Sequence, residues 1–211
     1  MLIVGAKGFA KEILEILHQN GNIDNIAFFD DVNEDIGDLL FKKFPILNSI
    51  DKAKFFFNKN GKEFTLGIGN PKLRYKLYKK FTGIGGVFTS LVHPSTNIGS
   101  YEVIIGTGCN ILSGVAISNS VTIGKGCIIY YNSVVTHDCV ISDFVEISPS
   151  VNILGRVKIG EFSHIGANST ILPDVTIGKN VVVGAGSVVT KDLPDNVVAL
   201  GIPAKIVRMI K

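Results

Sequence analysis

The chain has 211 residues, of which 46% are hydrophobic and 18% charged, and this is enough apolar material for a substantial core. Its net charge is only +3 and its basic residues form no block, so nothing indicates nucleic-acid binding. No apolar run could span a bilayer and no signal peptide precedes the first strand-like run, so we expect a cytoplasmic protein without membrane insertion.

The first part of the chain has the pattern of a small parallel α/β domain. Apolar runs predict strands over residues 2–4, 26–29, 64–68 and 87–92, and apolar spacing predicts helices over 10–17 and 72–81. Asn70 is suited to cap the second helix, with Pro71 in its first turn. Strands that alternate with helices predict a Rossmann-like parallel sheet, which we assign to residues 1–94.

The predicted strands end in glycines, carboxylates and an amide that would meet at one edge of the sheet. A glycine turn before a helix presents free N–H groups and the helix dipole to a phosphate, and carboxylates after the second strand accept hydrogen bonds from a ribose or base. The third glycine of GxGxxG is absent, so the indication of NAD is weak. A turn needed only for packing and a solvated acidic turn are the alternatives. The candidate substrate-binding residues are Gly5, Ala6, Lys7, Gly8, Asp30, Asp31, Gly69 and Asn70.

From Ile105 to Val189 a β-branched aliphatic residue recurs at every sixth position, fifteen times in succession, and a small or medium residue follows each one four places later. A period of six fits neither an isolated helix nor an isolated strand. It fits a chain that turns a corner every six residues and closes a triangular coil every eighteen. We predict a parallel β-helix over residues 95–195, and a tail, 196–211, that caps its open end.

His137 and Asp138 are the candidate catalytic pair. The inward places of their hexad are already taken by Val135 and Cys139, so His137 is not an interior residue. An imidazole beside a carboxylate is a good general base, and the alternative is a solvated surface pair. His93, before a proline, is predicted to be structural.

Other polar residues of the coil support no metal site. Glu146 and His164 are eighteen residues apart and should stack at one corner as an ion pair or a second functional pair. The three cysteines, Cys109, Cys127 and Cys139, occupy small inward places and are predicted to be reduced core residues. Zinc would need three clustered ligands, and the coil offers only two histidines, so a metal-dependent hydratase is disfavoured.

Motifs along the whole chain carry a family resemblance: LIVGAKGFAKEI, FFDD, LGIGNPKLR, LVHPS, NSVVTHDCVI, the hexad run, VVGAGSVVTKDLP and GIPAK. Together they resemble the sialic-acid O-acetyltransferase and nucleotide-amino-sugar N-acetyltransferase family, the NeuD/PglD-like hexapeptide-repeat acyltransferases. The resemblance implies a left-handed β-helix, a homotrimer that holds acetyl-CoA between neighbouring coils, and an α/β domain that binds a UDP-, GDP- or dTDP-linked amino sugar.

The resemblance also implies residue roles. His137 would be the general base, oriented by Asp138, in a direct transfer without an acyl-enzyme. The sequence departs from the family at three places: Glu146 stands where relatives have a second histidine, Arg156 follows the glycine at 155 where relatives have glycine or asparagine, and the glycine turn contains Lys7 and Phe9. The residues expected to line the acetyl-CoA site are Glu146, Gly155, Ala167, Ala185 and Lys205.

The expected function is therefore acetyl-CoA-dependent N-acetylation of the 4-amino group of a nucleotide-linked amino-deoxy sugar, in the biosynthesis of a surface glycan such as lipopolysaccharide. One alternative is O-acetylation of sialic acid or a related sugar. Another, from a different class, is a non-catalytic partner protein that binds a nucleotide sugar.

Overall fold

The computed structural model describes residues 1–210, apart from the side chain of Glu34. The chain forms two compact units that divide between Leu91 and Val92. No helix in the described part of the chain is long and apolar enough to cross a membrane.

The first unit is a six-stranded sheet with three helices and one 3-10 turn, Glu34–Ile36. The strands lie in the order β3-β4-β2-β1-β5-β6, and every neighbouring pair is parallel except β3 and β4. The elements are β1 (Leu2–Val4), α1 (Gly8–Gln19), β2 (Ala27–Phe29), β3 (Leu39–Leu40), β4 (Phe44–Leu47), α2 (Ile50–Asn60), β5 (Glu63–Leu66), α3 (Pro71–Gly83) and β6 (Val87–Phe88).

Two of the sequence predictions need correction here. The strand predicted over 64–68 ends at Leu66; the next residue is a glycine packed against α1, where a Cβ would lie 2.6 Å from the Ala10 Cβ. The strand predicted over 87–92 is two strands that join different sheets: β6 pairs with β5, whereas β7 (Leu91–Val92) begins a sheet of the second unit.

Local sequence explains the helix start and the core of this unit. The Asn70 side chain accepts a hydrogen bond from the Leu73 N–H at 3.0 Å, with Pro71 at the first position of α3 as predicted. The core is aromatic: the ring centroids of Phe29 and Phe81 are 4.9 Å apart in an edge arrangement.

The second unit is a left-handed β-helix of two-residue strands in three parallel sheets. Coil sheet 1 begins at β7 and contains β10, β13, β16, β19 and β22, coil sheet 2 contains β8, β11, β14, β17, β20 and β23, and coil sheet 3 contains β9, β12, β15, β18 and β21. From β9 to β23 the paired residues of neighbouring strands are eighteen places apart in the sequence, as in the register of Ile147 with Ile165. The remaining strands are β8 (Asn97–Ile98), β9 (Ile104–Ile105), β10 (Asn110–Ile111), β11 (Ala116–Ile117), β12 (Thr122–Ile123), β13 (Ile128–Ile129), β14 (Val134–Val135), β15 (Val140–Ile141), β16 (Glu146–Ile147), β17 (Asn152–Ile153), β18 (Lys158–Ile159), β19 (His164–Ile165), β20 (Thr170–Ile171), β21 (Thr176–Ile177), β22 (Val182–Val183) and β23 (Val188–Val189).

The interior of the coil is filled as the hexad pattern predicts. The aliphatic residues from Ile111 to Val189 are at most 3% exposed, and the small residues beside them are buried as well. The buried polar groups are satisfied: the Ser163 hydroxyl donates to the Gly178 carbonyl at 2.9 Å and accepts from the Val181 N–H at 3.0 Å. The three cysteines are free and buried.

Each corner of the coil contains a residue with positive φ, at every sixth position from 102 to 186. We call the corner between coil sheets 2 and 3 the first corner; its positive-φ residues include Asp138, Arg156 and Asp174. The second corner lies between coil sheets 3 and 1, and the third between coil sheets 1 and 2. Phe144 and Phe162 adopt this conformation at the second corner, where their rings stack with centroids 5.9 Å apart.

The tail forms an antiparallel hairpin of β24 (Val197–Gly201) and β25 (Ala204–Met209). β24 pairs in parallel with β22 and so continues coil sheet 1.

Candidate active site

His137 lies at the first corner, in the turn that follows β14. Its Nδ1 is 2.7 Å from Asp138 Oδ2, and the two side chains are 54% and 53% exposed. The turn is held by the Asp138 N–H, which donates to the Asn119 carbonyl of the preceding coil at 3.3 Å. With Nδ1–H donating to the carboxylate, the Nε2 lone pair of a neutral imidazole is left to accept a proton.

Gly155, one coil further along, supports the imidazole. A Cβ at this position would lie 2.6 Å from His137 Cε1 and 2.8 Å from its Nε2, so a side chain here would displace the ring. The Gly155 carbonyl accepts from the Asp174 N–H at 3.0 Å, and the next N–H, of Arg156, donates to the His137 carbonyl at 3.0 Å. The peptide beneath the ring is therefore fixed from both sides.

A groove of about 470 Å³ lies over the outer face of coil sheet 2, and His137 is one of the residues that line it. The residues that line it are mostly small, and several present backbone to the groove; they are Asn97, Gly99, Ala116, Ile117, Ser118, Asn119, Val134, Val135, Thr136 and His137. Small outward side chains leave room for an extended ligand beside the histidine.

In the first unit, Gly5 and the acidic pair line adjoining cavities, whereas Ala6, Lys7 and Gly8 line neither of them. One cavity, of about 180 Å³, is bounded by Gly5, Asp30, Asp31 and Ile68 among others, and a second, of about 310 Å³, shares both carboxylates. Gly69 and Asn70 do not line either cavity, where Ile68 and Leu73 lie instead. Asn70 is used as the helix cap, and the Gly69 carbonyl accepts a hydrogen bond from the buried Arg74.

The two glycines of the turn differ in whether the fold requires a glycine at their position. Gly5 has a φ of 113° and a Cβ there would lie 2.7 Å from the Gly67 carbonyl oxygen, so the fold itself requires it. Gly8 lies outside the left-handed region and a Cβ there would meet nothing within 4 Å. The N-cap residue of α1, Lys7, makes no side-chain capping bond. Open space therefore lies over the first turn of a helix whose N–H groups have no side-chain cap.

The acidic pair is also tied into the fold. Asp30 Oδ1 accepts from the Val32 N–H at 3.1 Å and from the Asn33 N–H at 3.0 Å, and Asp31 bonds to the Lys80 ammonium at 2.8 Å. The sequence analysis missed Asn33 and Lys80. An Asp followed three places later by Asn is a turn signal that points to Asn33, whereas Lys80 is reached only through the packing of α3.

Several predicted cofactor residues do not lie at the first corner. Glu146 and His164 face each other on neighbouring strands of coil sheet 1, so the prediction that they stack at a corner was wrong: hexad position alone did not separate strand from turn. His164 Nε2 is 2.9 Å from the Ser148 hydroxyl and 3.8 Å from Glu146 Oε1.

The remaining cofactor candidates are placed elsewhere on the coil. Ala167 and Ala185 are at the third corner, on the opposite edge of coil sheet 2 from His137, where the Ala167 carbonyl accepts from the Gly186 N–H at 2.8 Å. Lys205 lies on β25 in the terminal hairpin. Within residues 1–210, no cluster of three or more histidine, cysteine or acidic residues is arranged to hold a metal ion.

A left-handed coil of hexapeptide repeats, with a solvent-facing histidine–carboxylate pair at one corner, defines the class of hexapeptide acyltransferases. The sequence matches the PglD N-terminal domain family over residues 1–81, and the bacterial transferase hexapeptide family (six repeats) over residues 138–172 and 157–191. The chain belongs to the NeuD/PglD-like family and is an acyltransferase.

Solved structures agree with this assignment over nearly the whole chain. A histidine-to-asparagine variant of perosamine N-acetyltransferase from Caulobacter crescentus, in complex with CoA and GDP-perosamine, is 32% identical with a TM-score of 0.89, covering 97% of this chain and 95% of that one. The acetyltransferase domain of PglB from Neisseria gonorrhoeae FA1090, in complex with acetyl coenzyme A, is 28% identical with a TM-score of 0.86 and covers 98% of each chain. WeeI from Acinetobacter baumannii AYE is 30% identical, with a TM-score of 0.88 and the same coverage. No curated protein sequence gave a match.

Proposed function

We propose that this protein transfers the acetyl group of acetyl-CoA to the 4-amino group of a nucleotide-linked amino-deoxy sugar, with His137 as the general base. The observation that carries the proposal is the His137–Asp138 contact of 2.7 Å beside an open groove that His137 lines, with Nε2 as the ring nitrogen not bound to the carboxylate.

The chemistry follows from this arrangement. As the sugar nitrogen attacks the thioester carbonyl, a C–N bond forms and the nitrogen loses a proton to His137 Nε2. Asp138 stabilises the imidazolium, the C–S bond breaks, and the proton passes to the departing CoA thiolate. An acyl-enzyme on a thiol is disfavoured because all three cysteines are buried in the coil.

The position of the acetyl-CoA candidates supports a site shared between chains. Gly155 lies against His137, but Ala167 and Ala185 are on the other edge of coil sheet 2. A trimer, with each first corner next to the third corner of a neighbour, would bring both sets to one ligand. Small residues at the third corner would let the pantetheine arm lie close to the backbone.

The first unit supplies the features of a nucleotide-sugar site. Open space over Gly8 and the uncapped start of α1 suit a diphosphate, because a helix N-terminus attracts anions. The cavities that share Asp30 and Asp31 suit a nucleoside. GDP-perosamine in the Caulobacter relative is a ligand of this kind.

The test is thiol release from acetyl-CoA against UDP-, GDP- and dTDP-linked 4-amino-6-deoxy sugars, with sialic acid included. We expect turnover with one of the amino sugars, and the His137→Ala variant should lose roughly 10²–10⁴-fold in kcat because the positioned base is gone. His18→Ala, an exposed histidine at the end of α1, is the matched control and should keep wild-type turnover.

Other outcomes would contradict the proposal in defined ways. Full activity of His137→Ala would exclude it as the base. Turnover with sialic acid alone would make the protein an O-acetyltransferase. No turnover together with no CoA binding would favour a non-catalytic nucleotide-sugar-binding protein.

A further inference from the structure

Three charged residues of the first corner stand in one column. Asp138, Arg156 and Asp174 are eighteen residues apart, with φ of 61°, 65° and 66°. Successive coils are spaced by about 4.8 Å, so Arg156 lies on the coil between that of Asp138 and that of Asp174.

Arg156 is bound to only one of these carboxylates. Its Nε is 2.5 Å from Asp174 Oδ1 and its Nη2 is 2.8 Å from Asp174 Oδ2, which is a bidentate pair. The hydrogen bonds from Arg156 lower the pKa of the Asp174 carboxyl below its ordinary value. Both side chains are exposed, so the pair contributes little to stability.

Asp138 is bound on one side only. Its Oδ2 accepts from His137 Nδ1 at 2.7 Å, while Oδ1 has no hydrogen-bond partner in the described part of the chain. Arg156 and Asp138 lie at the same corner of neighbouring coils, where the Arg156 N–H donates at 3.0 Å to the carbonyl of His137, the residue before Asp138. A guanidinium released from Asp174 would therefore have a second carboxylate on the neighbouring coil, and arginine forms bidentate pairs with carboxylates readily.

We propose that Asp174 is a positioning residue: by holding Arg156 in a bidentate pair, it keeps the Asp138 carboxylate available to His137. The inference rests on the proposed role of His137 as the base. Without Asp174, Arg156 would pair with Asp138. The imidazole would then lose the acceptor that fixes its tautomer and part of the negative charge that stabilises its protonated form.

The kinetic test compares Asp174→Asn, Arg156→Gln and the double variant. Asparagine keeps the left-handed conformation at 174, and glutamine at 156 removes the charge. We expect Asp174→Asn to lower kcat by roughly tenfold or more, a part of the 10²–10⁴-fold that a positioned base contributes, with little change in KM for acetyl-CoA. Arg156→Gln should stay near wild type, and the double variant should recover most of the lost kcat.

The matched control is Glu161→Gln, which breaks another exposed ion pair between coils, the 3.0 Å contact with Lys179 at the second corner. It should leave kcat unchanged. Wild-type kcat in Asp174→Asn would overturn the proposal, as would a double variant as slow as Asp174→Asn. A raised KM for acetyl-CoA in Arg156→Gln would instead mean that Arg156 contacts the cofactor.

A second readout needs no turnover and so separates this inference from the proposed function. The 15N chemical shifts of the His137 ring report which nitrogen carries the proton. We expect wild type and the double variant to hold the proton at Nδ1, and Asp174→Asn to show a mixture of tautomers. Unchanged ring shifts in Asp174→Asn would overturn the inference, and this holds even if the sugar that accepts the acetyl group had not been identified.

Discussion

At the level of single residues, the position of the His137 imidazole depends on the absence of a side chain at residue 155. His137 touches the backbone of Gly155, where a Cβ would come within 2.6 Å of the ring. The glycine at 155 does not have positive φ, so alanine is allowed by the backbone and excluded only by the histidine. Position 155 therefore controls the direction of Nε2 without carrying any chemistry of its own.

We predict that Gly155→Ala lowers kcat by about 10²-fold, because a displacement of about 1 Å at a reacting group costs that much. The fold should survive, so the thermal midpoint should stay close to that of wild type. Steady-state kinetics and a thermal melt check the two parts. Gly83→Ala, at a position with no atom within 4 Å, is the control and should change neither. An active Gly155→Ala variant would show that the ring has other places to lie.

The sequence predicted the His137–Asp138 pair because the hexad had already used its two inward places. The eighteen-residue spacing that brought Glu146 and His164 together applies equally to Arg156 and Asp174, but it does not tell which of the many stacked outward pairs form an ion pair. Lys80, which binds Asp31 at 2.8 Å, was missed for a similar reason. Ion pairs between distant segments have no local pattern.

At the level of elements, each two-residue strand of the coil has one residue that points into the core and one that points outward. In β16 the inward residue is Ile147, which is 0% exposed, whereas Ile104 of β9 points outward and is 62% exposed. The two isoleucines have the same strand propensity and differ in burial. Comparing substitutions at the two positions therefore separates the contribution of core packing to stability from that of strand propensity.

We predict that Ile147→Ala lowers the free energy of unfolding by about 2–5 kcal/mol, from lost burial and the cavity left behind. Ile104→Ala should change it by less than about 0.5 kcal/mol. Urea unfolding followed by circular dichroism measures both. Equal effects of the two substitutions would mean that the outward face of coil sheet 3 is also covered in solution.

Elements of the coil were predictable because each strand repeats the one before. Elements of the first unit between 32 and 62 were not predicted: β3 has only two residues, and the helix α2 contains three consecutive phenylalanines that obscure its period. The positive-φ corners were not predicted, because many of them carry residues other than glycine or asparagine. Phe144 and Phe162 adopt the same conformation and are held by their stacking, which no turn propensity indicates.

At the level of the whole molecule, the period of six was sufficient to predict a coil but not its hand, which came from the family resemblance. His137 and Ala185 are separated by the width of coil sheet 2, so one acetyl-CoA that contacts both positions would have to lie between two chains. If the acetyl-CoA site is shared, each site takes its base from one chain and its small residues from the next.

We predict that two inactive variants restore activity when they are coexpressed. His137→Ala removes the base, and Ala185→Trp blocks the third corner at an exposed position. Every mixed trimer of the two contains one intact site in three, so the mixed trimers should have about a third of wild-type activity. Separately tagged chains, purified through both tags, provide the measurement. Inactive mixed assemblies would place the whole site within one chain.

The eighteen-residue register of the coil also limits how the length of the chain can change. An insertion or deletion of eighteen residues adds or removes one full turn, and every later side chain stays at its own corner. A change of six or twelve keeps the aliphatic residues inside but rotates everything beyond it by one third of a circle. Such a shift would leave the hydrophobic core intact, but a cofactor bound by residues on both sides of the altered segment would lose its contacts with one of the two sides. Among related sequences, insertions and deletions between His137 and Ala185 should therefore be multiples of eighteen residues. Outside this segment the length of the coil should vary without that restriction.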